Sequence, residues 1–126
     1  MLQLTSADLI GIHALLITTF GGMPGITEMG FGRLDGATAA PHTSVFGAEL
    51  FPDVGAKAAA LCYAIVHGHP FSDGNKRVAL VALDITLSNA GLALTANNDE
   101  AYAMIMGLAD GSLGRDELIV WVNDHV

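Results

Sequence analysis

The 126-residue chain is just over half hydrophobic (52%), only 6% aromatic, and carries a formal charge of −8, with 5 Lys and Arg against 13 Asp and Glu. A single domain over residues 1–126 is expected, with a core mainly of Ala, Leu, Ile and Val, long enough to bury roughly two-thirds of its unfolded surface. The acidic balance excludes binding along a nucleic acid backbone, which requires clustered positive charge; one nucleotide, served by a few well-placed cations, is not excluded.

The N-terminal "MLQLTSADLIGIHALLITTF" has no Lys or Arg before Arg33, so a basic secretory leader is not expected. No apolar run reaches the roughly 18 residues of a membrane span, and the lone Cys62 rules out an intrachain disulfide. A cytoplasmic protein is expected. In chain order, Ser6 or Thr5 can cap a first helix running to about Phe20, with Asp8 in its first turn, and "GGMPG" ends it. From residue 26 to 51 the pattern is weak. A short helix to about Ala39, closed by Pro41, is expected, followed by "HTSVFGAELF" as a short helix or a mobile loop.

The pattern then sharpens. Asp53 opens "DVGAKAAALCYAIVHG", which is apolar on nearly every face and so belongs in the centre of a domain. Gly68 and the His69-Pro70 step end it, because a residue before proline is pushed out of the helical region. The next helix, "NKRVALVALDITLSNAG", is again almost uniformly apolar from Val78 to Leu87 and stops at Gly91. Two amphipathic segments follow, "NDEAYAMIMGLADG" capped by Asn97 or Asn98, and "RDELIVWVNDHV". Sustained alternation at period two is absent, so the fold class expected is all-α: a compact helical bundle with two central buried helices and a loop between them.

That loop, in "HGHPFSDGNKRVAL", holds an imidazole, a carboxylate, an amide and two of the five cations within the nine residues 69–77. Lys76 and Arg77 fall in the first turn of the second buried helix, where the macrodipole disfavours cations by roughly 0.3–1 kcal/mol each. An anion removes the mismatch: backbone N–H groups at Gly74, Asn75 and Lys76, the dipole and both cations would then converge on one phosphate. Asp73 suits a Mg²⁺ ion, and His69 can accept a hydroxyl proton near neutral pH. The combination points to phosphoryl or nucleotidyl transfer, with His69, Asp73 and Lys76 as catalytic candidates and Gly74, Asn75, Lys76 and Arg77 as phosphate binders. Two simpler readings remain open here: Asp73 or Asn75 as a plain helix cap, and His67, His69 and Asp73 as a His-x-His metal site. A P-loop is excluded, since Arg77 stands where Ser or Thr is required.

"HPFSDGNKR" resembles the signature of the Fic/Doc family, and specifically its Doc (death-on-curing) branch, toxins of type II toxin–antitoxin systems. "GGMPGI", "FGAELFPDVGAKAAAL" and "ADGSLGRDELIVWV" extend the likeness over most of the chain, and the length fits the short Doc members. The resemblance implies His69 as general base, Asp73 as the Mg²⁺ holder, Asn75 and Arg77 at the nucleotide phosphates, and Phe71 as the loop's buried anchor. Where the AMP-transferring Fic pattern has Gly and a second Arg, this chain has Lys76 and Leu80. Both departures are shared with Doc toxins, which implies ATP bound in the reversed sense and γ-phosphate transfer to a protein, elongation factor Tu, arresting translation. AMP transfer and a non-enzymatic nucleotide- or partner-binding module are the alternatives. The four glutamates are followed by Met29, Leu50, Ala101 and Leu118, so the self-inhibitory Ser/Thr-x-x-x-Glu-Gly/Asn pattern is missing. The resemblance then implies inhibition in trans by a cognate antitoxin covering the active-site cleft. His67, two residues before the motif histidine, reads as structural.

Overall fold

A computed structural model describes residues 3–126. Six helices make up most of it: α1 (Ser6–Phe20), α2 (Gly30–Ala39), α3 (Val54–Gly68), α4 (Asn75–Asn89), α5 (Asn98–Asp110) and α6 (Arg115–Asp124). The all-α class expected from the apolar patterning is what the chain adopts. None of the described helices is long and apolar enough to cross a membrane.

Thr5, not Ser6, caps α1. Its hydroxyl accepts from the Asp8 N–H at 3.1 Å, and the Asp8 carboxylate accepts from the Thr5 N–H at 2.8 Å, a reciprocal capping box. Ser6 is thereby free to donate to Asp35 at 2.7 Å, which ties α1 to α2. Asp53 caps α3 through the Ala56 N–H at 2.7 Å, and Asn97 caps α5 in a second capping box with Glu100.

α3 is the central element and packs against α2, α4, α5 and α6. Ala58, Ala59 and Cys62 are fully buried in it, and fully buried Ala79 and Ala82 belong to α4 in the same core. Small side chains let the two helix axes approach closely, while Ile65, Leu83 and Leu87 fill the remaining space. α4 is buried more one-sidedly than its sequence suggests: Val78, Ala79, Ala82, Leu83 and Leu87 face inward, Leu80, Val81 and Ile85 are half-buried, and Asp84 is exposed. Cys62 is a core residue; burial pushes its thiol up to about 12, so it carries no nucleophile at neutral pH.

Residues 44–49 are neither helix nor unstructured loop. They form a minimal antiparallel hairpin, β1 (Ser44–Val45) with β2 (Ala48–Glu49). Phe46 and Gly47 make its turn, both with positive φ (51° and 80°), the backbone sense that a two-residue hairpin turn needs. Strands of two residues are too short to show alternation, which is why the sequence does not reveal them. The hairpin's base is pinned by Lys57 of α3, whose ammonium donates to Phe51 O at 2.6 Å, Pro41 O at 3.3 Å and Glu49 Oε1 at 3.0 Å. Replacing Lys57 with Met leaves two carbonyls without this donor, and a stability loss of about 1–3 kcal/mol is expected. Denaturant titration checks this; an unchanged midpoint would show the clamp to be idle.

Candidate functional site

The loop between α3 and α4 is held from three directions. Its centre is Phe71, which is 1% exposed and stacks on the buried His13 ring of α1, with centroids 3.9 Å apart and planes 6° from parallel. The Asn75 side chain closes a ring onto the Phe71 backbone, accepting from Phe71 N–H at 3.0 Å and donating to Phe71 O at 2.9 Å. On the third side runs the strap of residues 22–27. Thr27 N–H donates to Pro70 O and Ser72 N–H to Gly25 O, both at 3.0 Å, making a single antiparallel bridge between Ile26 and Phe71. Gly30 sits so close to the Pro70 carbonyl and the Ile26 side chain that a Cβ there would collide with both.

Braced in this way, the loop reaches α4 through Gly74 at φ 78° and ψ 13°, a left-handed conformation that glycine adopts without strain. α4 begins with no side-chain cap, so the helix-cap reading of Asp73 and Asn75 does not hold. Helix geometry leaves the first-turn N–H groups of Asn75, Lys76 and Arg77 without intrahelical acceptors. Lys76 and Arg77 are exposed, and neither takes part in an ion pair among the described residues. The Arg77 guanidinium lies 4.8 Å over the Phe20 ring, a cation–π contact that holds it at the mouth of the site. The resulting pocket, about 400 Å³, has Phe20, Gly21 and Gly22 on one wall and residues 73–77 on the other. Uncapped amides, a helix dipole and two cations without ion-pair partners among the described residues give this cavity the chemistry that suits an anion.

Asp73 is exposed on the same cavity. Its Oδ2 accepts from Met23 N–H at 3.1 Å and its Oδ1 from Gly74 N–H at 2.8 Å. These two bonds, Met23's first, hold its carboxyl below the usual range, with smaller help from the Arg77 and His13 charges. The folded value lies below the unfolded one, so the contribution to loop order is complete above the ordinary carboxylate pKa and disappears as pH falls through the depressed value. The amide resonances of Met23 and Gly74, which donate to this carboxylate, are accordingly expected to show no carboxylate titration as pH falls through the ordinary range, changing only below it; a transition at the ordinary carboxylate value would contradict this assignment. Each carboxylate oxygen accepts one N–H and keeps a further lone pair directed to solvent. A single exposed carboxylate beside this pocket has the donor chemistry that Mg²⁺ takes, one or two carboxylates together with phosphate and water oxygens.

His69 stands at the other end of the loop, as the C-cap of α3, with φ 46° and ψ 56°. Left-handed backbone is uncommon for a non-glycine residue and is held here by the surroundings: its N–H donates to Ile65 O at 3.2 Å and its carbonyl accepts from the Thr27 hydroxyl at 3.3 Å. The imidazole is exposed. It does not line this pocket, whose walls are Asp73, Gly74, Asn75, Lys76 and Arg77 with the Phe20 to Gly22 segment. His67 is held apart, against Tyr63 on α3 with ring centroids 4.2 Å apart. The described residues contain no cluster of three or more His, Cys, Asp or Glu able to hold a metal, so the His-x-His metal reading is dropped.

The Asn75 side chain is not presented to the pocket. The residue is 8% exposed and its side chain is engaged with Phe71, which leaves only its backbone N–H for a ligand in the pocket. Three participants were missed in the sequence: His13, Gly22 and Phe20. A Cβ on Gly22 would lie 2.7 Å from Asp73 Oδ2, so only glycine lets the strap come this near the carboxylate. The family model described as Fic/DOC family matches residues 3–87. The chain belongs to the Fic/DOC family. The matched stretch spans α1 to α4 up to Leu87 and so includes the strap, the hairpin and the whole loop. This Fic/DOC chain is 38% identical over 80 residues to Toxin Doc of Mycolicibacterium smegmatis, covering 64% of this chain and 60% of that protein. It is 27% identical over 113 residues to Protein kinase doc of Escherichia phage P1, covering 90% and 86% respectively.

Proposed function

We propose that this Fic/DOC chain is a toxin that acts as a protein kinase, moving the γ-phosphate of ATP to a Ser or Thr hydroxyl of a translation factor, elongation factor Tu, and is neutralised by a cognate antitoxin. The observation that carries this reading is the pocket at the α4 N-terminus, where Lys76 and Arg77, in no ion pair among the described residues, stand over an uncapped helix end. The relatives' names, Toxin Doc and Protein kinase doc, agree with it. So does Leu80: in the position of the AMP-transfer clamp stands an apolar residue packed against the core, unable to grip a far phosphate.

In the reaction, the target hydroxyl oxygen forms a bond to the γ-phosphorus, the bond from that phosphorus to the bridging oxygen breaks, and ADP leaves. His69 takes the hydroxyl proton. Lys76, Arg77 and the first-turn N–H groups of α4 bind the phosphate oxygens and oppose the charge that develops on them. Asp73 would hold Mg²⁺, which would supply further neutralisation of phosphate charge. The antitoxin reading is supported by an apolar groove of about 520 Å³ beside the loop, between α1 (Ile10, Ala14, Ile17) and Ile26 and Phe31, suited to the apolar face of a partner helix.

Purified protein incubated with elongation factor Tu and ATP labelled at either the γ- or the α-phosphate separates the possibilities. Label from the γ-phosphate alone on the factor is the expected result. Label from the α-phosphate would establish AMP transfer instead, and no label with either, in the presence of Mg²⁺, would remove the kinase reading for this target.

A further inference from the structure

Among the described residues His13 is one of two buried polar residues, at 5% exposed; the other is Asn75. Both are spent on the same loop, though His13 lies 60 residues away from the group it touches: its Nε2 is 2.9 Å from the Asp73 carbonyl oxygen. A carbonyl oxygen only accepts, so Nε2 carries the hydrogen and donates it. Burying an imidazole has a desolvation cost that a Leu in the same place would not incur, and this bond offsets it.

The carbonyl of Asp73 and the N–H of Gly74 belong to one planar peptide unit, and all described peptide bonds are trans. Fixing the oxygen therefore fixes the hydrogen at the opposite edge. That hydrogen is the one donated to Asp73 Oδ1 at 2.8 Å, while Oδ2 is held by Met23 N–H at 3.1 Å. His13 also borders Gly74, where an added Cβ would lie 3.7 Å from its ring. From this chain of contacts we infer that His13 is a positioning residue, whose Nε2–H sets the plane of the 73–74 peptide and through it the direction of the Asp73 carboxylate in the phosphate pocket. It touches neither nucleotide nor target. The inference rests on the kinase reading only in assigning Asp73 a use.

The rival account is that His13 merely packs, its ring filling the space against Phe71. Two substitutions separate them because they keep opposite halves of the side chain. His13→Phe retains a ring on Phe71 and removes the N–H; His13→Gln removes the ring and can present an N–H at about the position of Nε2. The first readout is amide hydrogen exchange by NMR at Gly74 and Met23, which needs neither ATP nor metal. Exchange is expected to accelerate by at least about tenfold in His13→Phe, with core amides of α3 unchanged, and to stay near the native rate in His13→Gln. The second readout is steady-state kinetics: kcat is expected to fall by about tenfold to a hundredfold in His13→Phe with KM for ATP little moved, and to recover in His13→Gln. Should the Phe ring overfill the site, His13→Leu serves as the donor-free variant. Native exchange at both amides in a folded donor-free variant, or faster exchange in Gln than in Phe, would overturn the assignment. Absence of phosphoryl transfer by the native protein would remove the kinase reading instead, with the exchange result still deciding the role of His13.

Discussion

His69→Ala is expected to lower the rate of phosphoryl transfer by about a hundredfold to ten-thousandfold, the usual worth of a positioned general base, without unfolding the protein. The exposed imidazole has no hydrogen-bond partner among the described residues, whereas the backbone around it is held by Ile65 and Thr27. Removing the side chain therefore breaks no hydrogen bond among the described residues and uncovers little buried surface, and stability should remain within about 0.5 kcal/mol of native. Single-turnover transfer from γ-labelled ATP, measured beside a denaturant titration, tests both halves. Retention of activity within a few-fold of native would place the proton acceptor elsewhere. Growth inhibition that survives the change would favour a binding module over an enzyme.

Phe71→Ala should have the largest effect on stability, about 3–5 kcal/mol, out of a total of order 5–15 kcal/mol for a domain of this kind. The ring is fully enclosed, stacked on His13, and its own backbone is bonded to the Asn75 amide and bridged to Ile26. The cavity left by its loss lies directly under the loop, so activity and stability should fall together. Phe71→Leu refills most of the volume and loses the stack, and a much smaller destabilisation is expected. Paired urea titrations of the two variants check the order. Equal and small losses would show that the loop is held by the strap and Asn75 alone.

Much of this was legible in the sequence for definite reasons. Helix positions follow from apolar patterning, and the loop stands out because Lys76 and Arg77 occupy a helix start that the macrodipole makes unfavourable for them. The groups that hold the loop were not legible, because their partners are distant along the chain: the His13 ring reaches the Asp73 carbonyl across 60 residues and the Met23 backbone N–H reaches its carboxylate across 50. A signal existed in "GIHALLI": His13 is four residues after the fully buried Leu9 and so shares the inward stripe of α1. For Asn75 the helix-start position makes the backbone N–H a phosphate candidate, but that its side chain is spent on the Phe71 backbone shows only in the structure. The hairpin at 44–49 escaped because two-residue strands carry no period, and the Phe46–Gly47 turn lacks the usual Asn-Gly pair.

The central claim is that the start of α4 is a triphosphate site. Titrating isotopically labelled protein with ATP and Mg²⁺ and following every backbone amide tests it most directly. Saturable shifts centred on residues 73–77 and on Gly21 and Gly22, absent in Lys76→Ala combined with Arg77→Ala, are the result expected. No saturable shift, or shifts centred elsewhere that persist in the double variant, would contradict it.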